Sequence, residues 1–563
     1  MSDKRAALTS VFGKIAKLIP LLASDKSGEV VNAAGRLVHT LASAKLDLHD
    51  LVSILKQESL KKPAGSLFET DSEILLRLAL ASAKLFHTSD KIAYADVVVD
   101  GHRKTWPVKG GDFSNWLLRQ FFVEKKKIPT ITTLKTVVHS VNALAIIDSD
   151  TEQDVHLRVA QSGDRIYLDL ADEEWRAIEI DSHGWRLVSD PPVRFRRTPA
   201  MRPLPVPERG GSIGQLRSFV NLSADDFVLF VAMVLNGLRS GRPHPVLYLV
   251  GGEGTAKTTL TEIAGRLIDP SRIKPRRLPG VEDLFVSAYN KHLLCFENIS
   301  VITEAVSDAL CQISSGTSSG KRKKFTDSEE FVVGGSHPLV LNGLVNCINK
   351  ADLADRTVVL NLPRIENRRL DVEFWNAFGL EHPKILGALL DAAVHGLSEL
   401  PKVVLQQKIR MADFEIWAVA CEAAFTEPGS FQRAFKKNVG DTVADLVDDN
   451  AVAKAVASFM ISNDHWKGTI VSLLNELTDD DRTEAKVTRS STWPREPAQF
   501  GKALRSTTAT LRKMGIEMEF GRSPDRRRTR TVNLRNLALD QSSAKADGAD
   551  SAHTPAQGSV VSL

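Results

Sequence analysis

The stretch PVLYLVGGEGTAKTT, residues 245–259, decides the fold of this 563-residue chain. Its first six residues form an apolar run typical of a buried strand, and the glycine-rich residues after it predict a loop. A helix-like pattern then continues through Leu267. Glycines let backbone N–H groups wrap around phosphate oxygens, and the N-terminus of the following helix points at the same anion. The order strand, loop, helix therefore predicts a phosphate-binding loop.

The loop matches the pattern GxxxxGK[ST] except at Ala256, where the pattern has glycine. Lys257 is placed to reach the β- and γ-phosphates of ATP, and Thr258 supplies a hydroxyl for Mg²⁺. Alanine at 256 is tolerable with a negative φ, whereas a positive φ costs about 1–2 kcal/mol. A glycine-rich turn with a chance lysine is the alternative, and the spacing disfavours a GxGxxG dinucleotide loop. The predicted ATP-binding residues are Gly251, Gly252, Glu253, Gly254, Thr255, Ala256, Lys257, Thr258 and Thr259.

An ATPase also needs an acid at the end of a neighbouring strand and a group that orients the attacking water. The run HLLCFEN, residues 292–298, supplies Glu297, which we predict to lie on the magnesium side of the site. Asn298 follows at a position where a second acid often serves as base. The water-activating group therefore stays open: Asn298 positions a water, or Glu304 reaches in.

Two further motifs predict groups that act on the transferring phosphate. The apolar run at 338–341 ends at Asn342, which we predict to sense the γ-phosphate or the attacking water, with a strand-end cap as the alternative. The motif DLADR, residues 352–356, precedes another strand. Arg356 is predicted to stabilise charge on the transferring phosphoryl group, and such an arginine often belongs to the adjacent subunit.

Two basic segments predict contacts with nucleic acid. One is the tip of a predicted hairpin, where four cations and Phe325 suit a salt-sensitive grip on single-stranded DNA, with a solvated charged loop as the alternative. The other is a C-terminal helix followed by a basic hairpin, the outline of a winged helix on duplex DNA. Docking on an acidic neighbour or binding RNA are its alternatives. The predicted residues are Lys321, Arg322, Lys323 and Lys324 in the first segment and Lys502, Arg505, Arg526, Arg527, Arg528 and Arg530 in the second.

Taken in order, GGEGTAKTT, LLCFEN, the basic hairpin, PLVLN and DLADR resemble the motifs of superfamily 3 helicases, an AAA+-related class of viruses, phages and plasmids. The closer resemblance, over most of the chain, is to ATP-binding proteins of prophages and integrative elements related to phage and poxvirus primase-helicases. It implies a homo-oligomer, a hexameric ring that hydrolyses ATP between subunits and moves on single-stranded DNA in its channel. Ala256 and Asn298 depart from the family pattern.

Composition and patterning predict an α/β P-loop NTPase core with a largely parallel sheet, flanked by smaller parts. The resemblance implies that this sheet is AAA+-like. The segments are an N-terminal helical module (1–62), an α+β domain of unassigned role (63–190), a basic Pro-rich linker (191–211), the ATPase core (212–400), a helical region (401–485), a winged-helix-like DNA-binding domain (486–537) and a disordered tail (538–563).

The net charge of +4 conceals an uneven distribution, because the linker, the hairpin tip and the C-terminal segment are basic and the remainder is acidic. The four cysteines form no CxxC pair, and no apolar run approaches the ~18 residues of a membrane span, so we expect a cytoplasmic protein. No primase carboxylate triad stands out before residue 190.

The sequence thus predicts an ATP-dependent DNA helicase or translocase that uses ATP and Mg²⁺ in the replication of a phage or mobile element. The alternative is an ATP-gated DNA-binding switch or assembly factor with slow hydrolysis, such as an initiator, a loader or a defence sensor. A small-molecule P-loop kinase is disfavoured because no motif for an acceptor pocket is evident.

Overall fold

The computed structural model of the chain divides into two compact units, which are described separately. One unit comprises Met1–Ala81 with Gly111–Val141, and the other comprises Ser82–Gly110 with Asn142–Leu563. The structure describes residues 2–23, 27–51, 69–149, 151–316, 320–322, 330–332, 335–405, 410–479, 485–488, 490, 492–524, 528–537 and 539.

The first unit is helical in its described residues. Its first two helices bury Ile15, Leu37 and Leu41 in a small apolar core, as their three- and four-residue spacing predicts. The unit extends past the predicted boundary at 62, since helices after that point belong to it. The helices that begin in it are α1 (Ser2–Leu18), α2 (Ser27–Ser43), α3 (Asp71–Ser82), α4 (Gly111–Lys125) and α5 (Ile131–Ile147).

The second unit begins with small sheets. One is an antiparallel three-stranded sheet, one is a two-stranded parallel pair formed by β4 and β9, and one is a four-stranded antiparallel sheet of β5 to β8. The strands are β1 (Ala83–His87), β2 (Ala93–Val99), β3 (His102–Pro107), β4 (Val155–His156), β5 (Val159–Ser162), β6 (Arg165–Asp169), β7 (Ala177–Asp181), β8 (Gly184–Val188) and β9 (Arg194–Phe195).

A parallel sheet follows, which confirms the predicted α/β core. Its four parallel strands run in the order β11, β14, β10, β15, and β12 pairs with β13 in a separate hairpin. The elements are α6 (Ala224–Gly237), β10 (Val246–Val250), α7 (Lys257–Ile268), α8 (Val281–Asn290), β11 (Leu294–Ile299), α9 (Glu304–Ser315), β12 (Gly320–Arg322), β13 (Glu330–Val332), β14 (Leu339–Gly343), α10 (Ala351–Ala354) and β15 (Thr357–Asn361).

The region 63–190 is predicted as a separate domain, but its residues 142–190 share their core with the parallel sheet. Apolar residues of β5 to β8 belong to the same buried cluster as α6 and α7. Arg158 is fully buried, and its guanidinium donates to the Asp269 carboxylate at 2.9 Å and to the carbonyls of Asp169 and Arg202, each at 2.9 Å. The predicted boundary therefore does not separate residues 142–190 from the ATPase core.

Three helices follow β15, and the third of them packs against that edge strand of the sheet. They are α11 (Asp371–Glu399), α12 (Ala412–Glu422) and α13 (Ser430–Asp448). The amide of Asn438 in α13 accepts a hydrogen bond from the N–H of Val359 and donates one to its carbonyl, so it replaces a neighbouring strand at that edge.

The C-terminal module begins earlier than predicted. The strand β16 pairs with β18, and the first two helices of the module share one apolar core with α17, so the module starts near residue 451 and not at 486. Its sheet has the order β16, β18, β17. The predicted tail, 538–563, lies outside the described residues except for Leu539. The elements are α14 (Ala451–Met460), β16 (His465–Thr469), α15 (Ile470–Asp479), α16 (Ala485–Thr488), α17 (Pro497–Lys513), β17 (Ile516–Arg522) and β18 (Arg530–Asn536).

Among the described helices, none alone has both the length and the apolar composition of a membrane span. One pair, Ile213–Phe219 with Ala224–Gly237, meets both criteria together but is bent by 115°.

Candidate functional site

The loop from Gly251 to Ala256 leaves the carboxyl end of β10, as predicted. The N–H of Gly251 donates to the carbonyl of Gly343 at 3.4 Å, and the hydroxyl of Thr255 donates to the carbonyl of Gly252 at 3.0 Å. In the part of the chain that the structure describes, the amide N–H groups of residues 252–259 donate no hydrogen bond to the protein. Such a row of free donors at the start of a helix is a candidate anion site.

Ala256 lies in the left-handed region, with φ 63° and ψ 31°. The sequence allowed either a negative or a positive φ at this position, and the structure has the positive φ. A side chain at positive φ costs about 1–2 kcal/mol. The departure from glycine therefore raises the energy of the loop.

Lys257 begins α7 and folds back over the loop. Its ammonium donates to the carbonyls of Gly251 and Gly252, each at 2.6 Å. Burial lowers the pKa of Lys257, and the carboxylate of Glu253 opposes that shift. Thr258 is exposed and Thr259 is half-buried on the next positions of α7. The ammonium is thus placed at the anion site, and the Thr258 hydroxyl faces solvent beside it.

Glu297 lies on β11, which is separated from β10 by β14. The pairing of β11 with β14 has a bulge between Phe296 and Ile299, and Asn298 in the bulge has φ 55°. Glu297 is half-buried and Asn298 is exposed. The bulge therefore interrupts the alternation of side chains at the point where the predicted metal-side acid stands.

The alternative water-activating residue, Glu304, is engaged elsewhere. Its carboxylate is 2.9 Å from the ammonium of Lys350, which also pairs with Asp308 at 3.1 Å. The glutamate at the start of α9 thus belongs to a surface ion-pair cluster.

Asn342, predicted as a sensor of phosphate, is only 1% exposed, and both ends of its amide are used inside the protein. Its oxygen accepts from the N–H of Asn298 at 3.1 Å, and its nitrogen donates to the hydroxyl of Thr261 at 2.9 Å. The side chain therefore connects β14 to the bulge of β11 and to α7.

Arg356 lies at the opposite end of the sheet from the loop. Its carbonyl accepts from the N–H of Val246 at 2.7 Å, and β10 and β15 are parallel. The loop leaves the other end of β10, so about 16 Å of strand separates Arg356 from it. Its side chain pairs with Asp352 at 3.7 Å. Arg356 cannot reach the phosphate site of its own chain.

Sequence reasoning missed Arg368, an exposed arginine after β15 that touches the loop. The N–H of Ile365 donates to the carbonyl of Gly254 at 3.2 Å, which docks this segment on the loop. A Cβ added at Gly254 would lie 2.5 Å from Arg368 Nη2, and Gly254 has φ 76°. In the described part of the chain the guanidinium of Arg368 has no ion-pair or hydrogen-bond partner. No local pattern marks it, because its proximity depends on the path of the chain after β15.

The predicted basic hairpin is present as β12 and β13. Lys321 pairs with Phe331 and Arg322 with Glu330 along its antiparallel register. Lys323 and Lys324 at the predicted tip lie outside the described residues.

In the C-terminal module, Lys502 and Arg505 are exposed on α17. The guanidinium of Arg505 lies 5.6 Å from the ring centre of Phe520 on β17. Arg528 and Arg530 are exposed at the start of β18, whereas Arg526 and Arg527 lie outside the described residues. The helix and the hairpin thus present cations in the positions that the sequence predicted.

The third basic segment, residues 191–211, is not a free cationic surface. Four of its five arginines contact acids or aromatic rings elsewhere in the chain. The pairs are Arg194 with Asp96, Arg196 over the ring of Tyr289, Arg197 with Asp169 and over the ring of Trp175, and Arg209 with Asp391 and over the ring of Trp185.

No cluster of three or more His, Cys, Asp or Glu side chains that could hold a metal ion occurs in the described residues. A magnesium ion in a phosphate-binding loop needs little protein, however, since one hydroxyl, the phosphate oxygens and water supply most of its ligands. The exposed hydroxyl of Thr258 and the carboxylate of Glu297 fit that requirement.

Two family models match the chain. Residues 213–445 match the actinomycete integrative conjugative element replication protein, AICE RepA, and residues 452–547 match the AICE RepA C-terminal domain. No curated protein matches the chain. The second match begins within one residue of α14, where the structure begins the C-terminal module. The chain is therefore similar to replication proteins of integrative conjugative elements.

Several solved structures are also similar to this chain in backbone structure. One is the active helicase Cch of SCCmec type IV, with a TM-score of 0.44 and 10% identity over 82% of this chain and 94% of that chain. Another is the apo A form of the NrS-1 C-terminal region, with a TM-score of 0.36 and 12% identity. This match covers 83% of this chain and 100% of that chain. A structure of the NrS-1 C-terminal region with residues 305–718 has a TM-score of 0.35 and 11% identity. That match covers 82% of this chain and 99% of that chain.

Proposed function

We propose that this protein is a cytoplasmic ATP-dependent DNA helicase or translocase of the superfamily 3 type that serves replication of a mobile element. The observation that supports this most is the division of the site, with free loop amides and Lys257 at one end of the sheet and Arg356 at the other. Such a site is completed by a second copy of the chain, as in a ring. The match to a replication-protein family supports the role in replication.

In the proposed cycle the amides of 252–259 and the ammonium of Lys257 bind the β- and γ-phosphates of ATP. Lys257 exchanges the carbonyls of Gly251 and Gly252 for phosphate oxygens. Thr258 and Glu297 would hold Mg²⁺, which neutralises charge on the phosphates when bound. Asn342 holds the bulge so that Glu297 keeps its place, and Arg356 of a neighbouring chain contacts the transferring phosphoryl group. Asn298 is exposed at the bulge and is placed to orient a water.

Arg368 is proposed as a second phosphate-binding cation of the same chain. We expect Arg368→Ala to weaken binding of a fluorescent ATP analogue by about tenfold or more, since a hydrogen bond to a charged group contributes ~1.5–3 kcal/mol. Arg369→Ala removes the same charge from the adjacent exposed position and should leave the affinity unchanged. Equal ATP affinity of Arg368→Ala and wild type would contradict this role.

For DNA we propose two contacts. Single-stranded DNA lies in the channel of a hexameric ring against the hairpin of Lys321 and Arg322, with Lys323 and Lys324 at its tip. Duplex DNA binds the C-terminal module, whose order of helix, strand, three helices and two strands supports a winged helix. Lys502 and Arg505 then face a groove, and the basic residues 526–530 face the backbone.

The proposal is tested by ATP hydrolysis and strand displacement. We expect wild type to hydrolyse ATP faster with single-stranded DNA and to displace an annealed strand, and Lys257→Ala to lose both activities. Lys274→Ala removes an equal charge from a side chain that is 87% exposed and should keep both activities. Absence of DNA-stimulated hydrolysis in the wild type would refute the proposal.

A second candidate is an ATP-gated DNA-binding switch or assembly factor with slow turnover. The observation that favours it is Asn298 beside Glu297, where no second carboxylate stands, with Glu304 bound to Lys350. Hydrolysis without strand displacement, together with ATP-dependent DNA binding, would select this candidate.

A further inference from the structure

A cluster of ion pairs joins the C-terminal module to the segment that contains Arg356. Its two acids are Asp352 in α10 and Asp355 just after it. Arg356 Nη1 lies 3.7 Å from Asp352 Oδ1, and Arg410 contacts both acids, at 2.5 Å and 3.7 Å. Lys513 pairs with Asp355. Because Lys513 is the last residue of α17, the helix predicted to bind DNA ends on the arginine segment.

Arg356 is held inward by this cluster. Its side chain is 15% exposed, and its Nε is buried without a hydrogen-bond partner in the described part of the chain. A buried donor without a partner is costly. An arginine that acts on a neighbouring subunit must instead extend from the surface. We therefore interpret the inward position as one of two states of the Arg356 side chain, the other being extended toward a neighbouring subunit.

The surroundings of Arg356 allow its side chain to move without unfolding the segment. Leu353 is 1% exposed in the apolar core, and the hydroxyl of Thr357 donates to its carbonyl at 2.7 Å. These contacts hold the backbone on both sides of Arg356. The ion pair of Arg356 with Asp352 and the pair of Asp355 with Lys513 are the contacts that a change of charge nearby can break.

We propose that Asp355 and Lys513 are positioning residues that keep Arg356 directed inward until DNA binds the C-terminal module. This inference rests on the proposed function, since it assigns Arg356 to a neighbouring phosphate site and α17 to DNA. DNA phosphates compete with the Asp355 carboxylate for the ammonium of Lys513. When Lys513 moves to DNA, the segment that contains Asp352 and Asp355 loses its contact with α17. The turn that directs Arg356 inward then loosens, and the guanidinium extends.

The first test measures ATP hydrolysis with and without a mixed-sequence DNA duplex. Lys513→Ala is expected to raise the DNA-free rate at least about fivefold and to lower the stimulation by DNA to the same extent, as for a modest coupling free energy. Lys513→Arg keeps the pair and should behave as wild type. Arg512→Ala removes an equal charge from the preceding position and should leave the DNA-free rate unchanged. An unchanged DNA-free rate in Lys513→Ala would overturn the inference.

The second test does not depend on hydrolysis. Amide hydrogen exchange of residues 351–356 is expected to quicken in wild type when the duplex is added, and to be fast without DNA in Lys513→Ala. If wild type hydrolyses no ATP but shows this exchange pattern, the proposed function is wrong, whereas the inferred link from Lys513 to residues 351–356 is supported. If exchange at 351–356 is the same in wild type and Lys513→Ala, the inference fails whatever the ATPase rate.

Discussion

Mixing subunits that contain Arg356→Ala with subunits that contain Lys257→Ala is expected to restore ATP hydrolysis that neither variant supports alone. We expect Arg356→Ala by itself to hydrolyse ATP about 10³-fold more slowly than wild type, the lower end for an arginine that contacts a transferring phosphoryl group. In the mixture, some interfaces combine an intact Lys257 from one chain with an intact Arg356 from its neighbour.

The physical reason is the distance inside one chain. Arg356 precedes β15, whereas the loop follows β10, and the two strands are parallel neighbours in register from Val246 with Thr357. An extended arginine side chain is shorter than the ~16 Å of strand between those ends. The residue can act on phosphate only from another copy of the chain, so the two substitutions damage different halves of each site.

The matched control is a mixture of Arg356→Ala with the double variant Lys257→Ala, Arg356→Ala. This mixture contains intact loops but no intact arginine, so its rate should stay as low as that of Arg356→Ala alone. A wild-type rate for unmixed Arg356→Ala would contradict the assignment. Restoration in the control mixture would show that the effect does not come from complementary interfaces.

The parallel sheet, the glycine-rich loop after β10 and the hairpin of β12 and β13 were predictable from sequence because each is encoded in contiguous residues. An apolar run before glycines and a Lys-Thr pair specifies a strand, a loop and a helix start within residues 245–259. The same holds for α17 with its hairpin. The sequence also identified Ala256 as the position where the sign of φ matters, but only the structure gives that sign.

What sequence could not give depends on contacts between distant residues. The amide of Asn342 donates to the hydroxyl of Thr261, which is 81 residues away, and no local pattern in the sequence marks that contact. Arg368 reaches the loop through the path of the chain after β15. The start of the C-terminal module was misplaced because β16 pairs with β18 across 60 residues of intervening chain, and such pairing leaves no local signal.

Three buried histidines at the amino ends of the parallel strands predict a steep dependence of stability on pH. His244, His292 and His337 precede β10, β11 and β14, and burial lowers the pKa of each, that of His337 to about 4. In the unfolded chain a histidine has a pKa near 6.5. Below that pH the unfolded state binds more protons than the folded state, so stability is fully present above about pH 6.5 and is lost as the pH falls.

The packing around these rings explains why they stay neutral. His244 Nδ1 lies 2.9 Å from Asn236 Nδ2, and His292 Nε2 lies 2.8 Å from the carbonyl of Gly237. The Nε2 atoms of His244 and His337 are buried without partners in the described residues. A proton added there would place a charge in an apolar core, and Asp269 near His292 offsets only part of that cost.

We therefore expect the free energy of unfolding of the ATPase core to fall by up to about 4 kcal/mol per pH unit below pH ~6, or about 1.4 kcal/mol for each histidine. Urea unfolding followed by tryptophan fluorescence between pH 7.5 and pH 5.5 measures this slope. His337→Gln should reduce the slope by one proton, whatever it does to the stability at neutral pH. His183→Gln, at a side chain that is 92% exposed, should leave the slope unchanged. A urea midpoint that is the same at both pH values would mean that the three rings are protonated without cost, and the buried cluster would then have to be open to water.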